Sequence, residues 1–228
     1  MMLRLNNISK SFLQRGVVLN DLHLSVKEGD TVSITGPSGS GKTTLLNIIG
    51  LLDRPDAGEV LFRDKQLLSY DQDQAARYRS LNIGFVFQDH LLLPYLTVFE
   101  NILLPLLASE SSDADYSRKT DEARRMMEKT GISGIASKYP YQISGGEAQR
   151  ATLVRALVNQ PSILLADEPT GSLDRRNAEI LGDLLTGMNR EYGITLILAT
   201  HSQDLADRMK VRYALSEGKL ELQAITDN

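Results

Sequence analysis

The chain has 228 residues, 42% of them hydrophobic, which is enough for the core of one large domain or of one domain with an insert. Its formal net charge of -4 argues against a nucleic-acid-binding protein, and the absence of cysteine excludes a disulfide scaffold and a thiolate metal site. The N-terminus turns polar after a few residues, and the most apolar stretch, 102–108, is short and broken by Pro105. We therefore expect a soluble protein with neither a secretion signal nor a membrane span.

The first ninety residues favour strands around one helix. Alternation of apolar and polar residues at 3–5 and at 22–26 predicts half-exposed antiparallel strands. An apolar strand at 32–35 leads into a glycine-rich loop. The remaining elements of this part are predicted as a helix over 43–51, a short strand over 59–62 and a buried strand over 83–87.

The second half alternates helices with apolar strands. From about 91 to 142 the spacing is helical with a polar break at 109–115, which predicts an all-helical insert. Residues beyond 222 are expected to fray. Further elements are predicted as a helix over 148–159, a strand over 162–166, a helix over 176–191 and a strand over 195–199. Because these strands are apolar on both faces and alternate with helices, they predict a parallel sheet with helices on both sides.

The glycine-rich loop at 36–43, Gly-Pro-Ser-Gly-Ser-Gly-Lys-Thr, fits the pattern G-x-x-x-x-G-K-[ST]. Such a loop wraps nucleotide phosphates in backbone N–H groups, and the next helix adds its N-terminal dipole. Lys42 supplies a cation for the β- and γ-phosphates, and the Thr43 hydroxyl is a ligand for Mg²⁺. A coincidental glycine-rich turn is the alternative, but this loop stands between an apolar strand and a helix, as the motif requires.

Two adjacent carboxylates follow a buried strand. Asp167 and Glu168 therefore lie at the C-terminal end of a parallel sheet, where open α/β sheets bind ligands. Asp167 suits Mg²⁺, through water, and Glu168 suits the base that polarises an attacking water. The alternative is an ordinary Asp-Glu-Pro helix start with Pro169 at an early helical position.

Three further side chains are weaker candidates. His201 follows the next buried strand and could hydrogen-bond the γ-phosphate, although a lone histidine is more often structural. Gln88 ends the strand at 84–87 and could touch Mg²⁺ or the water, or be a surface residue. Phe12 could stack on adenine, or be a core phenylalanine.

A second glycine feature lies far from the first. Ser144 and Glu147 fit a capping box at the start of a helix, and that alternative needs no ligand. Gly145 and Gly146 are not explained by it, because each glycine in a helix costs about 1 kcal/mol relative to alanine. Close approach of a phosphate is the better reason. Since the first loop already holds the phosphates of its own chain, this helix is predicted to contact the nucleotide of a second copy.

Taken together these residues resemble the nucleotide-binding subunit of ATP-binding-cassette (ABC) transporters. The matching motifs are Walker A at 36–43, the Q-loop at Gln88, the ABC signature at 144–150, Walker B at 163–168, the D-loop at 172–174 and the switch histidine His201. The resemblance implies an α/β P-loop NTPase fold of the RecA-like type for 1–228. It implies a parallel-sheet core, an N-terminal antiparallel β subdomain and an α-helical insert at about 91–145.

The resemblance also implies an ATPase. Two copies, as a homodimer or as a heterodimer with a similar chain, would close over two Mg-ATP and drive integral-membrane permease subunits from the cytoplasmic face of the inner membrane. No nucleic-acid partner is implied. The catalytic residues would be Glu168, His201, Lys42 and Gln88, and the Mg²⁺ ligands Thr43, Gln88 and Asp167. The implied nucleotide-binding residues are Phe12, Gly36, Pro37, Ser38, Gly39, Ser40, Gly41, Lys42, Thr43, Thr44, Ser144, Gly145, Gly146, Glu147 and Asp174.

Within the family, segments 50–55, 84–88, 167–174 and 216–220 resemble the lipoprotein-releasing (LolD) branch and its macrolide-exporter (MacB) and cell-division (FtsE) relatives. Departures from the family pattern, such as Ile143 for leucine, remove no catalytic group. An FtsE-like ATPase that drives a regulatory membrane complex without transport stays open, because its active site would be the same. A soluble ABC ATPase is less favoured because no sustained heptad insert is present, and a nucleotide kinase would not explain Gly145, Gly146 or His201.

Overall fold

The computed structural model describes residues 1–108 and 112–225. The strands are β1 (Leu3–Phe12), β2 (Gly16–Val26), β3 (Thr31–Thr35), β4 (Ala57–Phe62), β5 (Lys65–Gln66), β6 (Ile83–Val86), β7 (Ile163–Asp167), β8 (Thr195–Ala199), β9 (Val211–Ser216) and β10 (Lys219–Ile225). The α-helices are α1 (Lys42–Ile49), α2 (Gln72–Asn82), α3 (Val98–Leu107), α4 (Asp113–Lys129), α5 (Gly145–Leu157), α6 (Arg175–Tyr192) and α7 (Gln203–Ala206).

The strands form two sheets. A four-stranded antiparallel sheet has the order β2-β1-β4-β5, and a six-stranded sheet has the order β10-β9-β3-β8-β7-β6. In the larger sheet every neighbouring pair is parallel except β10 with β9. The predicted α/β fold, with an N-terminal antiparallel sheet and a parallel-sheet core, is therefore confirmed.

The central strands β3, β8 and β7 of the larger sheet are buried on both faces, which is why they are largely apolar. Along β7, Leu164 and Ala166 pack into a core shared with helices α3 to α6. Ile163 and Leu165 face the other side, where a second core includes α1 and the antiparallel sheet. Successive side chains of a strand point to opposite faces, so a strand between two cores is mostly apolar along its length. Ser33 in β3 is a buried exception whose hydroxyl donates to the Ala206 carbonyl. The polar residues at the ends of β7 and β8 are thus placed at one edge.

Several element boundaries differ from the sequence-based expectation. Helix α5 begins at Gly145 rather than at 148, because Ser144 caps it. Helix α2 and the hairpin β9–β10 were not predicted, since α2 has almost no apolar face and β9–β10 is an edge hairpin. Strand β10 runs to Ile225, so the expected fraying beyond 222 is wrong for 223–225, whereas 226–228 lie outside the described residues.

After a non-helical stretch at 87–97, helices dominate the described part of the segment between β6 and β7. It contains α3, α4, α5 and two 3₁₀ turns, Ser133–Ile135 and Pro140–Gln142. Part of the expected polar break, 109–111, lies outside the described residues, and Ser112 caps α4. A separate helical subdomain at about 91–145 stays a prediction. Within 1–108 and 112–225, no helix combines the length and apolar character needed to cross a membrane.

Candidate functional site

A cleft of about 650 Å³ opens at the C-terminal edge of the larger sheet. Because β3, β8 and β7 are neighbours, the loop after β3, the carboxylates after β7 and the histidine after β8 converge there. The predicted residues that line this cleft are Ser38, Gly39, Gly41, Lys42, Thr43, Thr44, Gln88, Asp167, Glu168 and His201.

The glycine-rich loop needs glycine for both conformation and space. Gly41, the residue before α1, has a φ of 107°, which side chains rarely adopt. A Cβ on Gly41 would lie 2.9 Å from Val18 Cγ1 on β2, so the loop packs closely on the antiparallel sheet. Gly36 faces the opposite side, where a Cβ would lie 2.3 Å from the carbonyl oxygen of Leu215. The loop is therefore packed between the two sheets.

Lys42 is buried and points back over its own loop. Its Nζ donates to the carbonyl oxygens of Gly36 at 2.8 Å and Pro37 at 3.2 Å. The same nitrogen lies 3.6 Å from Glu168 Oε1. A buried ammonium held by two carbonyls and one carboxylate is a preorganised cation for an anion entering the loop.

Glu168 is held on two sides. Its Oε2 lies 2.8 Å from His201 Nδ1 and accepts the backbone N–H of His201 at 3.1 Å. The backbone N–H of Glu168 donates to the Ala199 carbonyl at 2.8 Å. This bond joins the start of the loop after β7 to the end of β8. Glu168 has a φ of 45°, a conformation that a residue other than glycine adopts only where its surroundings enforce it. The carboxylate is thus positioned rather than free on the surface.

Asp167 combines burial with an unused acceptor. Burial raises the pKa of its carboxyl above the usual range, and a hydrogen bond with the Thr43 side chain opposes that shift. Its Oδ1 is buried and, within 1–108 and 112–225, has no hydrogen-bond partner. A buried carboxylate oxygen with no donor beside a threonine hydroxyl is a hard oxygen pair of the kind Mg²⁺ prefers.

The second glycine feature does not line this cleft. Ser144 and Glu147 form the capping box: Glu147 Oε2 accepts from the Ser144 N–H at 2.8 Å, and Ser144 Oγ accepts from the Glu147 N–H at 3.3 Å. Gly146 has a reason within the chain, because a Cβ there would lie 2.3 Å from Asn177 Oδ1, and its contact with nucleotide stays a prediction. Gly145 differs, because its Cβ would meet only His90 Cε1, at 4.0 Å. Contacts among the described residues therefore give no reason why residue 145 must be glycine.

The other predicted residues have local roles. Asp174 caps α6, with Oδ1 accepting the Asn177 N–H at 2.8 Å, which lowers the pKa of its carboxyl. Phe12 is 38% exposed with the Lys10 ammonium 5.2 Å from its ring centre, so it is not a core phenylalanine, and it does not line the cleft. Ser40 Oγ is buried without a partner among the described residues.

Two residues of the cleft were missed. Arg15 and Val18, on and beside the turn between β1 and β2, line it next to the glycine-rich loop. Extending the alternation of 22–26 backwards would have lengthened β2. No pattern of neighbouring residues, however, predicts that the turn between β1 and β2 lies beside the loop after β3.

A family model described as ABC transporter matches residues 19–171. The curated Lipoprotein-releasing system ATP-binding protein LolD 1 of Rhodopirellula baltica is 42% identical over 222 residues, covering 96% of each chain. LolD of Myxococcus xanthus is 41% identical over 223 residues, covering 96% of this chain and 98% of its own. A dimeric ATP-binding cassette in a post-hydrolysis state, bound to ADP and Pi, superposes with a TM-score of 0.88 at 36% identity over 100% of both chains.

Proposed function

Because the chain belongs to the ABC transporter family and is an ATP-hydrolysing cassette, we propose that it powers lipoprotein release by a separate membrane complex. The supporting observation is its similarity, at 42% and 41% identity over nearly the full length, to relatives named as LolD of the lipoprotein-releasing system. Nearly complete coverage of both chains leaves no large domain of those relatives without a counterpart here.

In the proposed reaction, Glu168 accepts a hydrogen bond from the attacking water and His201 orients it toward the γ-phosphate. Lys42 already lies between its loop carbonyls and Glu168. When phosphates enter, the ammonium would turn from the carboxylate to them, which frees Glu168 Oε1 to act on water. General-base help of this kind contributes about 10²–10⁴-fold in rate.

Asp167 and Thr43 are proposed to hold Mg²⁺ together with the phosphates and, at the cleft wall, Gln88. The buried, unpartnered Oδ1 of Asp167 fits this use. Within 1–108 and 112–225, no group of three or more His, Cys, Asp or Glu side chains could hold a metal ion. Mg²⁺ is usually bound by one or two carboxylates plus phosphate oxygens and water. The bound ion would neutralise charge on the phosphates.

A second copy is proposed to complete each site. Ser144, Gly145, Gly146 and Glu147 are at the start of α5, outside the cleft of their own chain. The open space beside Gly145 admits a phosphate brought by another chain, and the free N–H groups of a helix N-terminus favour one. Asp174 would contact nucleotide only in such an assembly, whereas Phe12, beside the turn that carries Arg15, is proposed to stack on the adenine. The dimeric state of the similar cassette supports this arrangement.

The membrane partner is proposed to dock beside Gln88. A second cleft of about 380 Å³ runs between β6 and α3 and has a largely apolar wall that includes Phe85, Phe87 and Pro105, with Arg155 at its edge. An amphipathic cytoplasmic segment of a permease fits that chemistry, and it would place the chain on the cytoplasmic face of the inner membrane.

The test is purification of the chain with its attached integral-membrane protein, followed by reconstitution in vesicles carrying a lipoprotein. ATP-driven transfer of the lipoprotein to a soluble acceptor is expected. ATP hydrolysis by the complex without transfer would contradict the lipoprotein assignment and favour a regulatory complex without transport.

A further inference from the structure

Gln149 is a buried polar side chain to which none of the roles above is assigned. It lies on α5 and is 0% exposed. Its Nε2 donates to the carbonyl oxygen of Phe87 at 3.0 Å and to that of Pro169 at 2.9 Å. Both partners are acceptors only, so the amide nitrogen must face them and the orientation of the side chain follows.

The two carbonyls belong to the segments that carry the reacting side chains. Phe87 directly precedes Gln88, and Pro169 directly follows Glu168. The segments also contact each other, because a Cβ on Gly171 would lie 3.5 Å from the Gln88 amide. The amide group of Gln149 therefore joins α5 to the segment that carries Gln88 and to the segment that carries Glu168.

A second residue of α5 holds only one of these segments. Arg155 donates to the carbonyl oxygens of Leu91 at 2.7 Å and His90 at 2.9 Å. Both carbonyls lie in the segment after β6. Unlike Arg155, Gln149 forms hydrogen bonds both to that segment and to the loop after β7.

Packing alone does not account for glutamine at this position. Its Oε1 is buried without a hydrogen-bond partner in 1–108 and 112–225. An unsatisfied buried acceptor is unfavourable, and methionine would fill a similar volume without it. What glutamine adds is the bridge between two carbonyls.

We propose that Gln149 is a positioning residue that fixes Gln88 and Glu168 relative to the signature helix α5. When α5 shifts, both segments shift with it, so the base and the Q-loop respond together. This inference rests on the proposed role of Glu168 as the base.

The test is Gln149→Met in the full chain, with Thr152→Val as the matched control. Thr152 is buried one turn further along α5, and its hydroxyl donates to the Gln149 carbonyl at 2.8 Å rather than to a carbonyl of either segment. For Gln149→Met we expect kcat to fall about 10²-fold, the typical effect of a small misplacement of reacting groups. ATP affinity by calorimetry should be unchanged, because the phosphate loop is not touched. Thr152→Val should keep the wild-type kcat. A wild-type kcat in Gln149→Met, or an equal loss in Thr152→Val, would overturn the proposal.

Gln149→Glu gives an independent readout, and it decides the matter should Gln149→Met fail to fold. A protonated carboxyl can donate to one of the two carbonyls, whereas the ionised form repels both. Burial raises the pKa of such a carboxyl. We expect turnover, relative to wild type at the same pH, to rise as the pH is lowered from 8 to 6. A pH-independent ratio would contradict the bridge. If Glu168→Gln still hydrolyses ATP, the proposed base fails instead, whatever the Gln149 variants do.

Discussion

His201 Nδ1 lies 2.8 Å from Glu168 Oε2, and the backbone N–H of His201 donates to the same oxygen. The two residues follow β7 and β8, which are neighbours in the sheet. A carboxylate held by a histidine on one oxygen and approached by Lys42 on the other, at 3.6 Å, has a defined direction in the cleft. The roles of Glu168 and Lys42 can therefore be tested separately.

Replacing Glu168 by glutamine should stop turnover without stopping nucleotide binding. Glutamine keeps the size of the side chain but cannot accept a proton from water. We expect the hydrolysis rate to fall by about 10²–10⁴-fold while a dimer with trapped ATP accumulates on gel filtration. Glu179→Gln, on the exposed face of α6, is the control. Hydrolysis near the wild-type rate in Glu168→Gln would refute the assignment.

Lys42→Ala should weaken ATP binding by about 10–100-fold, the equivalent of a lost charge-assisted hydrogen bond. Isothermal calorimetry measures this effect directly. Lys65→Ala removes a similar charge from exposed strand β5 and should leave the affinity unchanged. Equal affinities for Lys42→Ala and wild type would show that the ammonium does not bind phosphate.

Lys42→Ala and Gly145→Asp chains should complement each other. Each variant alone loses both sites of a homodimer, but a mixed dimer keeps one site with an intact loop and an intact signature. We expect each pure variant to be inactive and the mixture to recover up to about a quarter of the wild-type rate, given random pairing and independent sites. No recovery at any mixing ratio, with mixed dimers present by cross-linking, would contradict a site shared between chains.

Alanine substitutions at Gly145 and Gly146 should have different effects, one on ATP turnover and the other on stability. Gly146→Ala introduces a Cβ 2.3 Å from Asn177 Oδ1, and we expect it to lower the free energy of unfolding by about 1–3 kcal/mol. Gly145→Ala meets no atom closer than 4.0 Å, so stability should be unchanged or higher by up to about 1 kcal/mol, while ATP turnover falls. Urea unfolding and steady-state hydrolysis measure the two effects. If Gly145→Ala is destabilised but turns over ATP normally, Gly145 serves packing within the chain and not contact with nucleotide.

Asp167→Asn should stabilise the nucleotide-free chain and remove its response to Mg²⁺. Burial raises the pKa of Asp167 in the folded state above its unfolded value. The folded chain thus binds this proton more tightly, and stability falls as the pH rises through the folded pKa. At neutral pH the variant should melt about 2 °C or more above wild type, with the difference closing towards about pH 4.

The Mg²⁺ response supplies the control for this variant. With ATP present, Mg²⁺ should raise the Tm of wild type more than that of Asp167→Asn. If Mg²⁺ raises the Tm of both proteins equally, Asp167 is not a ligand of the metal.

The sequence by itself determined the features that depend on neighbours along the chain. The phosphate loop, the capping box of Ser144 and Glu147, and the strands apolar on both faces are set by spacing within about ten residues. Their order placed Asp167, Glu168 and His201 at one sheet edge, because the carboxyl ends of neighbouring parallel strands meet at the same edge.

Tertiary structure decided what depends on residues far apart in the chain. Arg15 reaches the cleft only because the hairpin β1–β2 packs on the loop after β3, and Gly146 is required because Asn177 from α6 lies against it. Gln149 bridges two distant segments only because the fold brings the carbonyl oxygens of Phe87 and Pro169 to its amide nitrogen. Such contacts are fixed by close packing of whole elements, and no local pattern of residue types encodes which distant atoms will meet.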